Sequence, residues 1–184
     1  MIERFASSSI GLKRLAFAVC TNVGSANVNP TYGQIYLCNG LVNANPEAEE
    51  APDTYFSGNS RWRYLPSGIT LEKTQLTPEY QQALLGQSLV NGVLDKRLTD
   101  EAPLVALLWE TEQANQKRVR WMLPCVRFTS AEPSELTTKS DGINFQHFTL
   151  AGNYWHTLSG VKYRKAYEEL NPAQFANWFT TIQF

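Results

Sequence analysis

From Leu15 to Val19 large and small residues alternate, with Leu15, Phe17 and Val19 on one face and Ala16 and Ala18 on the other, the period of a strand. Gln34-Ile35-Tyr36-Leu37 follows a turn-rich stretch holding Gly24, Asn29-Pro30 and Gly33, so an antiparallel pair is predicted. Ile69 to Leu76 predicts another strand. Thr77-Pro78 then opens a helix, with Thr as N-cap and Pro at the first helical position; Tyr80, Ala83 and Leu84 form its apolar stripe and Gly86 stops it. Asn91-Gly92, between Leu89-Val90 and Val93-Leu94, is the signature of a tight hairpin.

Leu104 to Trp109 is apolar at every position, which predicts a central strand covered on both faces. The next run places Val119, Trp121, Leu123 and Cys125 on one face and Arg118, Arg120 and Met122 on the other. Ala114-Asn115-Gln116 joins the two as a hairpin. Pro124 cannot donate to a ladder, so an edge segment or bulge is expected there. A last long strand is read from Ile143, with Ile143, Phe145, His147 and Thr149 opposite Phe148 and Leu150, and Gly152 marks a bend.

Two stretches break the strand pattern. Between Cys38 and Ser60 lie Asn39-Gly40, Asn43, Asn45-Pro46, the acidic group Glu47, Glu49, Glu50 and Asp53, and Gly58-Asn59. A long loop over about 40–66 is expected, and its Tyr55, Phe56, Trp62 and Tyr64 imply that it packs on its own domain or on a partner. At the other end Asn171-Pro172-Ala173-Gln174 writes a capping box. Phe175, Trp178, Phe179 and Ile182 recur at helical spacing, so a helix over about 171–182 is expected to dock on its own domain or in a groove of a neighbouring subunit.

The chain has 184 residues, the size of one domain, and at that length about 70% of the unfolded surface can be buried. Sixteen Lys and Arg against 17 Asp and Glu give a net charge of -1, so the basic excess of a general nucleic-acid binder is missing. Apolar residues are 43% and charged ones 18%, which excludes a disordered chain and leaves a surface poor in charge, suited to partners. The opening residues lead into polar Ala6-Ser7-Ser8-Ser9 instead of an apolar signal core, and no apolar run approaches the about 20 residues of a membrane span. Cys20, Cys38 and Cys125 write neither a disulfide framework nor a metal site and are expected as buried or half-buried thiols of a cytoplasmic chain.

Catalytic chemistry finds little support. His147 reads as an ordinary strand residue, and no elbow or oxyanion loop accompanies any cysteine. Glu47, Glu49 and Glu50, like Glu168-Glu169 beside Arg164 and Lys165, read as solvated charge. Lys117, Arg118 and Arg120 are expected to pair with carboxylates across a sheet or an interface. No phosphate-cradling or calcium-loop motif is written, so neither an enzyme nor a cofactor is expected.

Leu76-Thr77-Pro78-Glu79-Tyr80-Gln81-Gln82-Ala83-Leu84-Leu85-Gly86, Asn91-Gly92-Val93-Leu94 and Ala102-Pro103-Leu104-Val105-Ala106-Leu107 occur in a fixed order. Arg118-Val119-Arg120-Trp121-Met122-Leu123, Phe128, Glu135 to Lys139, Asn144-Phe145-Gln146 and Thr149-Leu150-Ala151-Gly152 continue it. The series, over about 69–153, resembles the major tail proteins of long-tailed bacteriophages. The resemblance implies a mainly β, α+β fold, an antiparallel β-sandwich or barrel of the tail-tube type with a flanking helix. It implies a structural virion protein stacked in hexameric rings, made in the host cytoplasm and resident in the tail. Its partners would be itself, the tape measure, the tail terminator and the baseplate or tip, with genomic DNA passing through without sequence-specific binding. Glu47, Glu49, Glu50, Asp53, Tyr55, Trp62, Lys117, Arg118, Arg120, Phe175 and Trp178 are the candidates for assembly contacts. The Asn/Glu-rich loop and the aromatic C-terminal segment depart from familiar members. Two alternatives stand beside it: a β-rich carbohydrate- or ligand-binding module, suggested by five Trp and eight Tyr, and a tube protein of a contractile or secretion system.

Overall fold

The computed structural model describes residues 9–38, 41–46, 67–73, 76–133 and 148–184. In chain order the elements are β1 (Ser9–Asn22), β2 (Thr31–Cys38), β3 (Leu41–Pro46), β4 (Ser67–Lys73), α1 (Pro78–Leu85), β5 (Ser88–Val90), β6 (Val93–Asp95), β7 (Val105–Gln113), β8 (Arg118–Pro133), β9 (Phe148–Trp155), β10 (Arg164–Tyr167) and α2 (Pro172–Ala176). The fold is mainly β. One antiparallel sheet runs β2-β1-β7-β8-β9-β4-β3, with β10 also on β8, and β5-β6 form a separate hairpin. β3 returns to within 8 Å of β1 between Cα atoms, so the sheet curls back on itself.

The apolar run at 104–109 forms the centre of the sheet as its pattern predicts. Val105, Leu107 and Trp109 join Leu15, Phe17, Ile69, Leu71, Leu123 and Leu150 in the core inside the curl. Ala106 and Leu108, with Ala16, Met122 and Ala166, form a second core on the opposite face, closed by Phe175 and Trp178. Helix α1 sends Leu84 and Leu85 into the first core. Its Thr77 cap accepts from the Tyr80 amide, and Gly86 takes the left-handed conformation at φ 70°. The Asn91-Gly92 turn has φ 51° and 79°, the positive values that a two-residue hairpin needs.

Three expectations need correction. Leu41–Pro46, read as part of the loop over 40–66, is the strand β3; among the described residues it pairs only with β4, and its proline stands at the end of this edge strand, where proline is tolerated. The helix expected over 171–182 is only Pro172–Ala176, capped at Asn177, because β-branched and aromatic residues follow and Trp178 is drawn onto the sheet. Along β8 the faces exchange at Pro124. The bulge expected there is present, with the one residue between Val105 and Leu107 facing two between Leu123 and Val126; it turns Val126 and Phe128 inward, so Cys125 does not share the face of Leu123. At that point the neighbour of β8 also changes, from β10 at Met122 to β9 at Cys125. The part of the last strand placed at 143–147 lies outside the described residues.

Gly152 packs against a second bulge in β8, between Phe128 and Ser130. A Cβ there would stand 2.6 Å from the Arg127 carbonyl oxygen and 3.0 Å from the Phe128 Cα. Both are backbone atoms of a paired strand, which yield little. Gly152→Ala is therefore expected to cost about 1–3 kcal/mol in denaturant unfolding; an unchanged midpoint would show that the bulge moves aside freely.

Candidate functional site

The hairpin register places Glu110 opposite Arg120 and Glu112 opposite Arg118 on β7 and β8. Even-numbered positions here face the second core, so the alternation that buries Leu108 and Met122 also carries Glu110 and Arg120 inward. Glu110 is 1% and Arg120 5% exposed. Arg120 Nε donates to Glu110 Oε2 at 2.6 Å, and its Nη1 donates to the Phe175 carbonyl. The guanidinium also lies 3.9 Å from the Phe175 ring centroid and 4.8 Å from that of Phe179.

Arg118 extends the chain of charges. Its Nη2 donates to Glu168 Oε1 at 2.6 Å, its Nε to Oε2 at 3.2 Å and its backbone amide to the same Oε2 at 3.0 Å. Its Nη1 lies 3.8 Å from Glu110 Oε1. These hydrogen bonds hold the Glu168 carboxyl below the ordinary glutamate range and push the Arg118 guanidinium higher still. Glu168 is thus a structural partner and not the solvated charge expected of it. Lys117 is exposed in the turn beside them.

The C-terminal segment covers this network. Trp178 is 1% exposed and its Nε1 donates to the Trp121 carbonyl at 3.3 Å. Phe175 and Trp178 dock on their own domain, the plainer of the two expectations. On the other face Trp121 stacks on Trp109 at 5.6 Å, and Lys165 sits 3.6 Å over its ring. Burial lowers the Lys165 ammonium pKa.

The structure thus brings Arg118, Arg120, Phe175 and Trp178 together. Glu47, Glu49, Glu50, Asp53, Tyr55 and Trp62 lie outside the described residues, as does His147. Glu110 escapes the sequence reading, though it is legible once Ala114-Asn115-Gln116 is taken as the turn, since the register then sets Glu110 against Arg120. All three cysteines are thiols outside any disulfide, buried or half-buried as expected. Burial raises Cys20 and pushes Cys125 up to about 11, and it raises Tyr32, whose hydroxyl donates to the Pro124 carbonyl at 2.6 Å. A thiol so protonated is a poor nucleophile at neutral pH. Among the described residues no three His, Cys, Asp or Glu side chains gather as a metal site, and no helix is long and apolar enough to cross a membrane. The chain matches no protein-family model and no curated protein sequence.

Two outcomes are expected. Arg120→Met strands a buried carboxylate and should cost about 3–5 kcal/mol, while Glu110→Leu with Arg120→Met should recover most of that loss in denaturant unfolding. A double variant no better than the single would show that the pair is worth more than apolar packing at this site. Because the Glu168 carboxyl is lowered in the fold, its contribution is present above the unfolded value of about 4.3 and is lost as pH falls through the folded one. The melting temperatures of the parent and Glu168→Gln should therefore differ near neutrality and converge in acid; a constant gap would remove the ion pair as its cause.

Proposed function

We propose that the chain is a structural subunit of the phage tail-tube type, self-assembling into stacked rings whose lumen passes genomic DNA. The observation that carries this reading is the order of elements: α1, the Asn91-Gly92 hairpin and the β7-β8 hairpin follow one another as in the series that resembles major tail proteins. The curled antiparallel sheet with a short helix packed on it is compatible with that fold. The chemistry of the basic stretch adds support. Arg118 and Arg120 are taken up by Glu168 and Glu110, so neither offers a free charge to grip phosphates in a channel. Tape measure, terminator and baseplate or tip proteins are the further partners of such a subunit, and its place is the virion tail.

An aromatic sugar-binding platform is the weaker reading. Trp109 and Trp178 are buried, and Trp121 is held between Trp109 and Lys165.

Electron microscopy of the purified chain is the direct test, with rings or tubes the expected image. A single monomeric species in sedimentation at tens of micromolar, with and without nucleating tail components, would count against the proposal. Removal of residues 47–53 spares β3 and is expected to leave a folded monomer unable to polymerise. Normal tubes from that deletion would free the acidic residues of 47–53 from any role in assembly.

A further inference from the structure

Two features on different parts of the surface have matching chemistry. The first is a groove of about 550 Å³ between β2 and the C-terminal segment. Tyr32, Ile35, Phe179, Ile182 and Phe184 line it together with small and uncharged polar residues, and no charged side chain does. Tyr32 and Phe184 stack at 6.2 Å, which gives one wall a fixed shape. Among the described residues β2 pairs only with β1, so its outer edge presents unpaired backbone groups. Thr31–Cys38 holds neither a charge nor a proline, the usual devices that blunt such an edge.

The second is the β5-β6 hairpin, which among the described residues forms a sheet of its own. Val90 and Val93, flanking its turn, are 59% and 61% exposed, and Leu98 just beyond is fully exposed. The segment Gln87–Leu94 is uncharged. Its turn is fixed by the positive φ of Asn91 and Gly92, so little conformational entropy is lost when the tip is held.

We propose that the β5-β6 hairpin of one copy seats in the β2 groove of a second copy, its valines against the apolar walls and its free edge beside that of β2. The occupant is a second copy because every chain carries both halves, and neither the groove lining nor the hairpin segment Gln87–Leu94 carries a charged side chain that would have to be desolvated. Strand addition of this kind satisfies the backbone of both edges. Since the two halves lie on different elements, the contact is head-to-tail and propagates into a ring or a filament. The inference rests on the self-assembly reading above and specifies its contact.

Sedimentation velocity on four samples tests it: the parent chain, Val90→Asp with Val93→Asp, Thr181→Trp, and an equimolar mixture of the two variants. The substituted positions are exposed, so the circular dichroism spectrum and unfolding midpoint of each variant should match the parent. The parent is expected as oligomers, each variant alone as monomer, and the mixture as a one-to-one dimer and nothing larger, because one intact hairpin and one intact groove remain. Oligomers from the hairpin variant, or a mixture that stays monomeric, would overturn this contact while leaving assembly standing. Assembly lost in the groove variant alone would assign the groove to another occupant and overturn it too. A parent that is monomeric under every condition would overturn both this contact and the assembly reading.

Discussion

The pairing of Glu110 with Arg120 across the β7-β8 ladder governs how the chain can close. Two ions on a strand face that is otherwise Leu108, Met122, Ala106 and Ala16 are tolerable only if each finds its partner and the remaining donors are used. Glu110 answers Arg120 Nε, but the guanidinium keeps further N–H groups, and the Phe175 carbonyl takes one of them. The return of the C-terminal segment is thereby fixed at a point and not merely attracted by apolar area. Once Phe175 is placed, its ring covers the guanidinium and Trp178 falls into the hollow left by the three alanines of that face. Aromatic bulk on the segment and small residues on the sheet are two halves of one packing solution.

β8 carries a comparable burden along its length. It holds β7 on one side throughout its first half and must exchange β10 for β9 on the other. Pro124 falls at the exchange, between the last β10 partner at Met122 and the first β9 partner at Cys125. The extra residue beside it reverses the facing of the strand, so the ion pairs at 118 and 120 and the buried Val126 and Phe128 are both accommodated by one chain. Cys125 is turned the other way by the same reversal, toward Tyr32, and the burial it meets there keeps the thiol protonated.

Much of this was legible in the residues. Signals that are local, such as the Thr77-Pro78 cap, the Asn91-Gly92 turn, the 114–116 turn and the unbroken apolar run before Glu110, each produced the element they predict. Signals that depend on distant partners were not. The strand at Leu41–Pro46 is rich in asparagine and exists because β4 offers it a ladder, which composition does not reveal. Glu168 looks like surface charge beside Glu169 until β10 brings it to Arg118, fifty positions earlier. The short α2 follows from the same limit: helical spacing of Phe175, Trp178, Phe179 and Ile182 is real, but the sheet claims Trp178 before the helix can continue.

The economy of charge bears on how such a chain meets other molecules. Its net charge is near zero, and Arg118 and Arg120 are spent inside the fold, so long-range steering has little to act through. Two exposed features carry no charge: the β2 strand Thr31–Cys38 and the hairpin segment Gln87–Leu94. Contacts made from such surfaces draw on apolar burial and backbone pairing, which salt does not weaken as it weakens phosphate contacts. The pairing of Arg118 and Arg120 with Glu168 and Glu110 likewise leaves those two cations engaged within the fold.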